Sequence, residues 1–169
     1  MKSITQKKKL FCKKQNEFEE IINEKIMPLF ESRKEEFDCI NPSLEDSWNG
    51  TNILITIPYG ERMEPWLKKV IKECWNDEEK SITVIMGAKV NTNAWYNYVF
   101  PFAEEIGFVR RGKRPTAYAI YRSKLYCSAF NTKESDDISI SYSYGLYLGE
   151  ENSKRVIEAL NREIINYDE

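Results

Sequence analysis

The fold is decided by residues 53–60, which read Ile-Leu-Ile-Thr-Ile-Pro-Tyr-Gly. The run begins with apolar and β-branched residues, and it is bounded by Asn52 on one side and by Pro58 and Gly60 on the other. A short apolar run with such boundaries predicts a strand that is buried on both faces, as in the middle of a parallel sheet. Because ligands of open α/β sheets bind at the carboxyl ends of the strands, Tyr59 is the first candidate for a binding residue.

A helix and a second strand follow and complete a β-α-β unit. Pro65 suits the first turn of a helix, because the N–H that proline lacks would have no partner there. The apolar residues after it recur at helical spacing and predict a helix to about residue 75: Trp66, Leu67, Val70, Ile71 and Cys74. Residues 81–87 form the next apolar run, which predicts a second buried strand beside the first.

The remaining segments complete an α/β domain. Apolar spacing predicts a helix over residues 16–30, with Pro28 at its end or at a kink, and another over about 92–106 that contains Pro101. A third strand is expected from residue 107. Residues 117–130 and 138–148 alternate and are rich in tyrosine and serine, which favours antiparallel edge strands around a polar loop at 131–137. Residues 151–167 predict a closing helix.

The predicted fold class is therefore α/β, with one Rossmann-like domain over residues 16–169 and a basic segment over residues 1–15 in front of it. Its parallel strands come first and an antiparallel hairpin region follows. A chain of 169 residues is long enough for one such core and short for two.

Composition removes several classes of function. The chain has no histidine, which excludes Ser-His-Asp and Cys-His catalysis and histidine metal sites. Its four cysteines lie far apart, as expected of reduced thiols. No apolar stretch approaches the roughly 20 residues that span a bilayer, so we expect a cytoplasmic protein. The net charge of −2 argues against a uniformly basic nucleic-acid binder but leaves local basic clusters.

Two basic clusters are candidates for binding phosphate. Residues 1–15 contain six lysines, which fit a solvated tail, the outer face of a helix, or an arm on DNA phosphates. The second cluster is a turn-rich loop with four cations: Arg110, Arg111, Lys113 and Arg114. This loop is either a solvated turn or a phosphate-contacting element, and the tyrosines that follow it could stack on unpaired bases.

Residues 48–130 resemble the core of phage-type DNA N-6-adenine methyltransferases, the Dam-like phage family. In that family the corresponding strand ends in Asn/Asp-Pro-Pro-Tyr, and a Pro-Trp-aliphatic-x-Lys helix start follows at the distance at which residues 65–69 follow here. Residues 92–96 are similar to the family's Thr/Ser-x-x-Trp-Phe helix start. Residues 108–113 resemble its strand that ends in a basic turn.

The resemblance implies a DNA-binding enzyme that transfers a methyl group from S-adenosylmethionine to a flipped adenine. By position, four residues would form the catalytic motif: Thr56, Ile57, Pro58 and Tyr59. Tyr59 would stack on the base. Asp38, in a short predicted strand upstream, would contact the cofactor, and the cations of the 110–114 loop would contact DNA.

Two departures from the family pattern leave two functions open. Thr56 stands where the family has Asn or Asp and Ile57 stands where it has the first proline, and the first glycine of the chain is Gly50, so no glycine-rich turn precedes the motif. One function is an active DNA adenine methyltransferase. The other is a catalytically inactive relative that binds DNA or a host or phage protein, as a counter-defence or regulatory factor.

Overall fold

The computed structural model describes residues 3–77, 79–110, 112–122, 126–134 and 138–147. These residues form one open, seven-stranded sheet with helices packed on it. The strands are β1 (Cys39–Ile40), β2 (Asn52–Thr56), β3 (Ser81–Gly87), β4 (Glu105–Val109), β5 (Thr116–Arg122), β6 (Tyr126–Glu134) and β7 (Ile138–Tyr147). Their order across the sheet is β1-β2-β3-β5-β4-β7-β6. The predicted closing helix at 151–167 lies outside the described residues.

The helices are α1 (Ile4–Ile21), α2 (Met27–Phe30) and α3 (Met63–Asn76). A π-helical turn at Ile22–Ile26 joins α1 to α2, a 3-10 turn at Glu31–Glu36 follows, and a second π-helical turn spans Trp95–Val99. Among the described helices, none is long and apolar enough to cross a membrane.

The predicted β-α-β unit is confirmed. β2 and β3 pair in parallel, with Leu54 opposite Thr83, and α3 connects them. β1 also pairs in parallel with β2. Ile53 and Ile55 are fully buried and Leu54 is nearly so, which is what a strand covered on both faces requires.

The antiparallel region is also confirmed, but its strands are arranged differently from the prediction. The stretch predicted over 117–130 is two strands, β5 and β6. β5 pairs antiparallel with both β3 and β4, and β7 pairs antiparallel with both β4 and β6, so the prediction that these two strands lie at an edge was wrong. The side chains of β5 are needed on both faces, since Ala119 and Tyr121 join one core and Tyr118 and Ile120 join the other. β6 lies at the edge, and it extends to Glu134 through part of the predicted 131–137 loop.

The helix predicted over 92–106 was too long. The helical segment ends near Phe100, and Pro101 cannot continue it because proline has no N–H to donate. Ile106, which the prediction placed on the helix, lies in β4 and is 1% exposed in the core. β4 begins at Glu105, two residues before the predicted start.

The first helix begins earlier than its apolar pattern predicts. Ser3 caps α1 by accepting a hydrogen bond from the Gln6 N–H, and the Gln6 side chain accepts one from the Ser3 N–H. This capping box makes most of the basic segment helical. The π-helical turn at Ile22–Ile26 comes just before Pro28, where the regular hydrogen-bond ladder is interrupted.

The helices cover opposite faces of the sheet. α3 packs on the face that carries Ile53 and Ile55, whereas the helical region over residues 18–30 packs on the face that carries Leu54. The second core is made of Phe18, Ile22, Ile26, Phe30, Leu54, Ile85, Tyr118 and Ile120. α1 is thereby held beside the carboxyl ends of β2 and β3.

Candidate functional site: a cavity at the carboxyl ends of the strands

A cavity of about 310 Å³ lies at the carboxyl ends of β2 and β3. Its walls come from four parts of the chain: the segment after β2, the segment after β3, the residues before β5, and α1. The lining residues are Phe18, Ile57, Pro58, Tyr59, Gly60, Glu61, Met63, Gly87, Ala88, Lys89, Asn91, Arg114 and Pro115. The cavity has the size of a small ligand site and the position expected for one in an open α/β sheet.

The end of β2 carries Tyr59 to the cavity. The Ile57 N–H donates a hydrogen bond of 2.9 Å to the Ile85 carbonyl, which keeps Ile57 buried in the core. The chain then turns, and the Glu61 N–H donates to the Pro58 carbonyl at 3.1 Å. Pro58 is exposed and Tyr59 is half-buried. Three of the four predicted catalytic residues therefore line one cavity.

Thr56 does not line this cavity. Its backbone N–H donates a hydrogen bond of 2.7 Å to Oδ1 of Asn41, the residue that follows β1. Asn41 has a positive φ of 49°, and its own N–H donates to the Leu54 carbonyl. The Asn41 side chain thus links the ends of β1 and β2.

Two aromatic residues of α1 contact the Tyr59 ring. Phe11 and Phe18 have ring centroids 5.7 and 5.9 Å from that of Tyr59, in tilted arrangements. Phe11 also lies on Gly60, where an added Cβ would come within 2.7 Å of its ring. The sequence analysis missed this wall, although Phe11 and Phe18 are seven residues apart and therefore share one face of a helix that reaches back to residue 4.

The polar lining residues offer hydrogen bonds and charge rather than a nucleophile. Glu61 is the one carboxylate among the residues that line the cavity, and its Oε2 accepts a 2.8 Å hydrogen bond from the Trp66 indole N–H. Asn91 adds an amide, and Lys89 and Arg114 add positive charge. Over the described part of the chain, no cluster of three metal-ligating side chains occurs. The site is equipped to bind a flat, polar-edged ligand.

The basic loop reaches the cavity and is paired with α1. Arg114 lines the cavity, and its Nε lies 2.8 Å from Oε2 of Glu17. Nζ of Lys113 lies 3.6 Å from Oε2 of Glu20. Arg110 is exposed, and Arg111 lies outside the described residues. Two of the four predicted phosphate ligands are therefore compensated by carboxylates of the same chain.

Asp38 is not part of this site. Its Oδ2 accepts hydrogen bonds from the Thr51 N–H at 2.8 Å, the Thr51 hydroxyl at 3.0 Å and the Asn52 N–H at 3.0 Å. These bonds, the Asn52 N–H first, lower the pKa of the carboxyl below its usual value. Asp38 sits at the amino end of β2, and the structure does not bring the predicted cofactor ligand together with Tyr59.

The segment between β1 and β2 is folded onto α3 by its own side chains. Trp48 is 2% exposed, stacks on Trp66 with ring centroids 6.2 Å apart, and donates its indole N–H to the Ser43 carbonyl at 2.8 Å. Lys69 of α3 donates to the carbonyls of Leu44 and Asp46. These contacts fix residues 43–48 against α3.

The chain matches no protein-family model, no curated protein and no solved structure.

Proposed function

We propose that the protein binds a nucleic-acid strand by holding one unpaired base in the Tyr59 cavity, and that it transfers no methyl group. The observation that carries the proposal is that Tyr59 and Arg114, which the sequence predicts separately as a base-stacking residue and a phosphate contact, line the same cavity. One site thereby offers an aromatic ring and a cation, the two groups that single strands need.

The lining suits a nucleobase. Tyr59 and Phe18 present aromatic rings, and Ile57 and Met63 add apolar surface. Stacking of a base on an aromatic ring contributes about 1–3 kcal/mol and tolerates any base, because every base has a π-face. Polar groups at the edge, such as the Asn91 amide, are placed to hydrogen-bond the rim of a flat ring.

The arrangement of strands supports the methyltransferase-type fold. The sequence pattern predicts parallel strands followed by an antiparallel hairpin region, and the resemblance to phage-type adenine methyltransferases implies that the Pro-Tyr motif follows one of these strands. The described sheet has this order, and Pro58 and Tyr59 follow β2. Membership of that family is part of the proposal.

Two features favour binding without catalysis. An adenine methyltransferase needs an acceptor for the exocyclic amine, and Thr56 has its backbone tied to Asn41 and no side chain in the cavity lining. Loss of one such oriented group lowers rates by about 100- to 1,000-fold in other enzymes. In addition, no glycine precedes Gly50, so no glycine-rich turn comes before the motif, and Asp38, the predicted cofactor contact, is hydrogen-bonded to Thr51 and Asn52.

The active enzyme remains the second candidate because of Glu61. Its carboxylate is anchored by Trp66, and it belongs to the cavity lining. A carboxylate can accept a hydrogen bond from an exocyclic amine as the family's Asn or Asp does. An active site in this chain would therefore use Glu61 in place of Thr56.

The binding experiment compares two short single strands made of abasic spacers, one of which carries a single adenine. Fluorescence anisotropy should show about 10- to 100-fold tighter binding of the strand with adenine, which corresponds to one stacked base. Equal affinity for the two strands, or no binding of either, would overturn the proposal.

Calorimetry with S-adenosylmethionine separates the two candidates. The proposal predicts no heat of binding and no methyl transfer to the adenine strand. A dissociation constant in the low micromolar range with methylated product would establish the active enzyme instead, and Glu61→Gln should then abolish the transfer.

A further inference from the structure

Charge is segregated along α1. Residues 4–14 form its basic half, with five lysines and no acidic residue: Lys7, Lys8, Lys9, Lys13 and Lys14. Residues 15–21 form its acidic half, with Glu17, Glu19 and Glu20. One helix therefore presents a basic and an acidic segment, and the two have different surroundings.

The acidic half of α1 forms ion pairs with the basic loop. Glu17 pairs with Arg114 and Glu20 pairs with Lys113, as described above. Partly exposed pairs of this kind add little stability. They matter for binding, because a phosphate that approaches the loop also meets the two glutamates. The four cations of the loop are therefore offset in part by two carboxylates.

Within the described residues, the basic half has no such compensation. Lys7 and Lys8 are exposed and Lys14 is half-buried, and none of the three forms an ion pair with another described residue. Among these residues, the positive charge of this part of the helix is therefore not offset.

The basic half also lies next to the cavity. Phe11 rests on Gly60 and on the Tyr59 ring, so it fixes this part of α1 beside the site. Lys7, Lys8 and Lys14 are four, three and three residues from Phe11, the spacings at which side chains are neighbours on a helix. Residues 7–14 rise by roughly 10 Å, about the length of three nucleotides at 3.4 Å each.

We propose that Lys7, Lys8 and Lys14, rather than the 110–114 loop, are the main phosphate-binding surface, and that their partner is the single strand whose base enters the cavity. The inference rests on the proposed function and names the phosphate-binding surface that this function would use. Nucleic acid is favoured over a membrane because the Phe11 and Phe18 rings of the helix contact the Tyr59 ring at the cavity, whereas binding to lipid needs an apolar face that enters the bilayer.

The test measures binding of the strand with one adenine as a function of salt for three proteins. The first is the unchanged chain, the second is Lys7→Gln/Lys8→Gln/Lys14→Gln, and the third is Arg110→Gln/Arg111→Gln/Lys113→Gln. Glutamine keeps helix propensity near that of lysine, and far-UV circular dichroism verifies that α1 is retained. The second and third proteins each lose three positive charges, so their net charges are equal.

The lysine variant should lose affinity at low salt by at least about 10-fold, and the slope of log K against log salt should flatten by about 2, because each lost contact to a single strand removes about 0.7. The slope of the loop variant should change by less than about 0.7, the value of one contact. An unchanged slope in the lysine variant, or an equal loss in the loop variant, would overturn the inference.

The ratio between the strands with and without adenine separates this failure from that of the proposed function. If the strand with adenine still binds more tightly, but the salt slope is the same in the lysine variant as in the unchanged chain, only the lysine surface is overturned. Absence of the preference in all three proteins would overturn the base site and the inference that rests on it. Binding of anionic vesicles without binding of the strand would identify the lysines as a lipid surface and overturn the inference.

Discussion

The two ends of β2 are built from different residue types and serve different purposes. At the amino end, Asp38 accepts three hydrogen bonds from Thr51 and Asn52. At the carboxyl end, the Tyr59 ring contacts the rings of Phe11 and Phe18 and borders a cavity of about 310 Å³. The two ends are separated by five residues of strand, roughly 16 Å.

The difference shows how a structural polar group is told from a binding group. A carboxylate oxygen whose hydrogen bonds all come from neighbouring backbone and hydroxyl groups contributes to folding. A half-buried ring beside an open volume has surface that a ligand can still cover. By this criterion, the amino end of β2 is structural and the carboxyl end is the binding end.

Alanine substitutions of the glycines near the two ends of β2 should give the largest difference in the free energy of unfolding. Gly50 and Gly60 both have positive φ, 100° and 90°, so alanine at either position costs roughly 1–2 kcal/mol of backbone strain. At Gly50 the new Cβ would also meet the Asp38 Cβ at 2.5 Å, whereas at Gly60 it meets the Phe11 ring at 2.7 Å.

Asp38 is held by its hydrogen bonds, but Phe11 is 45% exposed and can move. We expect Gly50→Ala to lower the free energy of unfolding by about 3 kcal/mol and Gly60→Ala by about 1–2 kcal/mol, as measured by urea unfolding. Equal losses, or a larger loss at Gly60, would contradict the view that the amino end is the rigid one.

A smaller effect, and one that depends on pH, is expected for Asp38→Asn. Hydrogen bonding lowers the pKa of Asp38 in the folded protein, so its carboxylate stabilises the fold above the unfolded pKa near 3.8 and loses this contribution as pH falls through the folded pKa. The stability difference between the unchanged protein and the variant should therefore be constant near neutral pH and disappear in acid. If the difference in the free energy of unfolding grew below pH 4, the negative charge of Asp38 would not be the source of its stabilising effect. Binding of the adenine strand should be the same in both proteins.

The parts of the fold set by local pattern could be predicted from the sequence. The β2-α3-β3 unit follows from apolar runs and helical spacing that all lie within residues 53–87. The position of residues 116–122 could not be predicted in this way. Its alternation fits any antiparallel strand, and only the pairing with both β3 and β4 places it inside the sheet.

The residues of the candidate site show the same distinction between local and long-range signals. Tyr59 was found because a turn aromatic at the end of a buried strand is a local signal. The contacts of Arg114 with Glu17 and of Tyr59 with Phe18 join residues that are far apart in the chain, and no local pattern encodes them. Asp38 shows the converse, since its sequence position suits a ligand contact but its partners at Thr51 and Asn52 are visible only in the fold.

The most direct measurement of the central claim uses 2-aminopurine, an isomer of adenine whose fluorescence is quenched when it stacks on an aromatic ring. A strand of abasic spacers that carries one 2-aminopurine is titrated with the protein and with Tyr59→Leu, while anisotropy reports binding of the strand. The account predicts strong quenching with the unchanged protein and little quenching with Tyr59→Leu at saturation. Binding without quenching by the unchanged protein, or equal quenching by the variant, would show that the base does not stack on Tyr59 and would contradict the account.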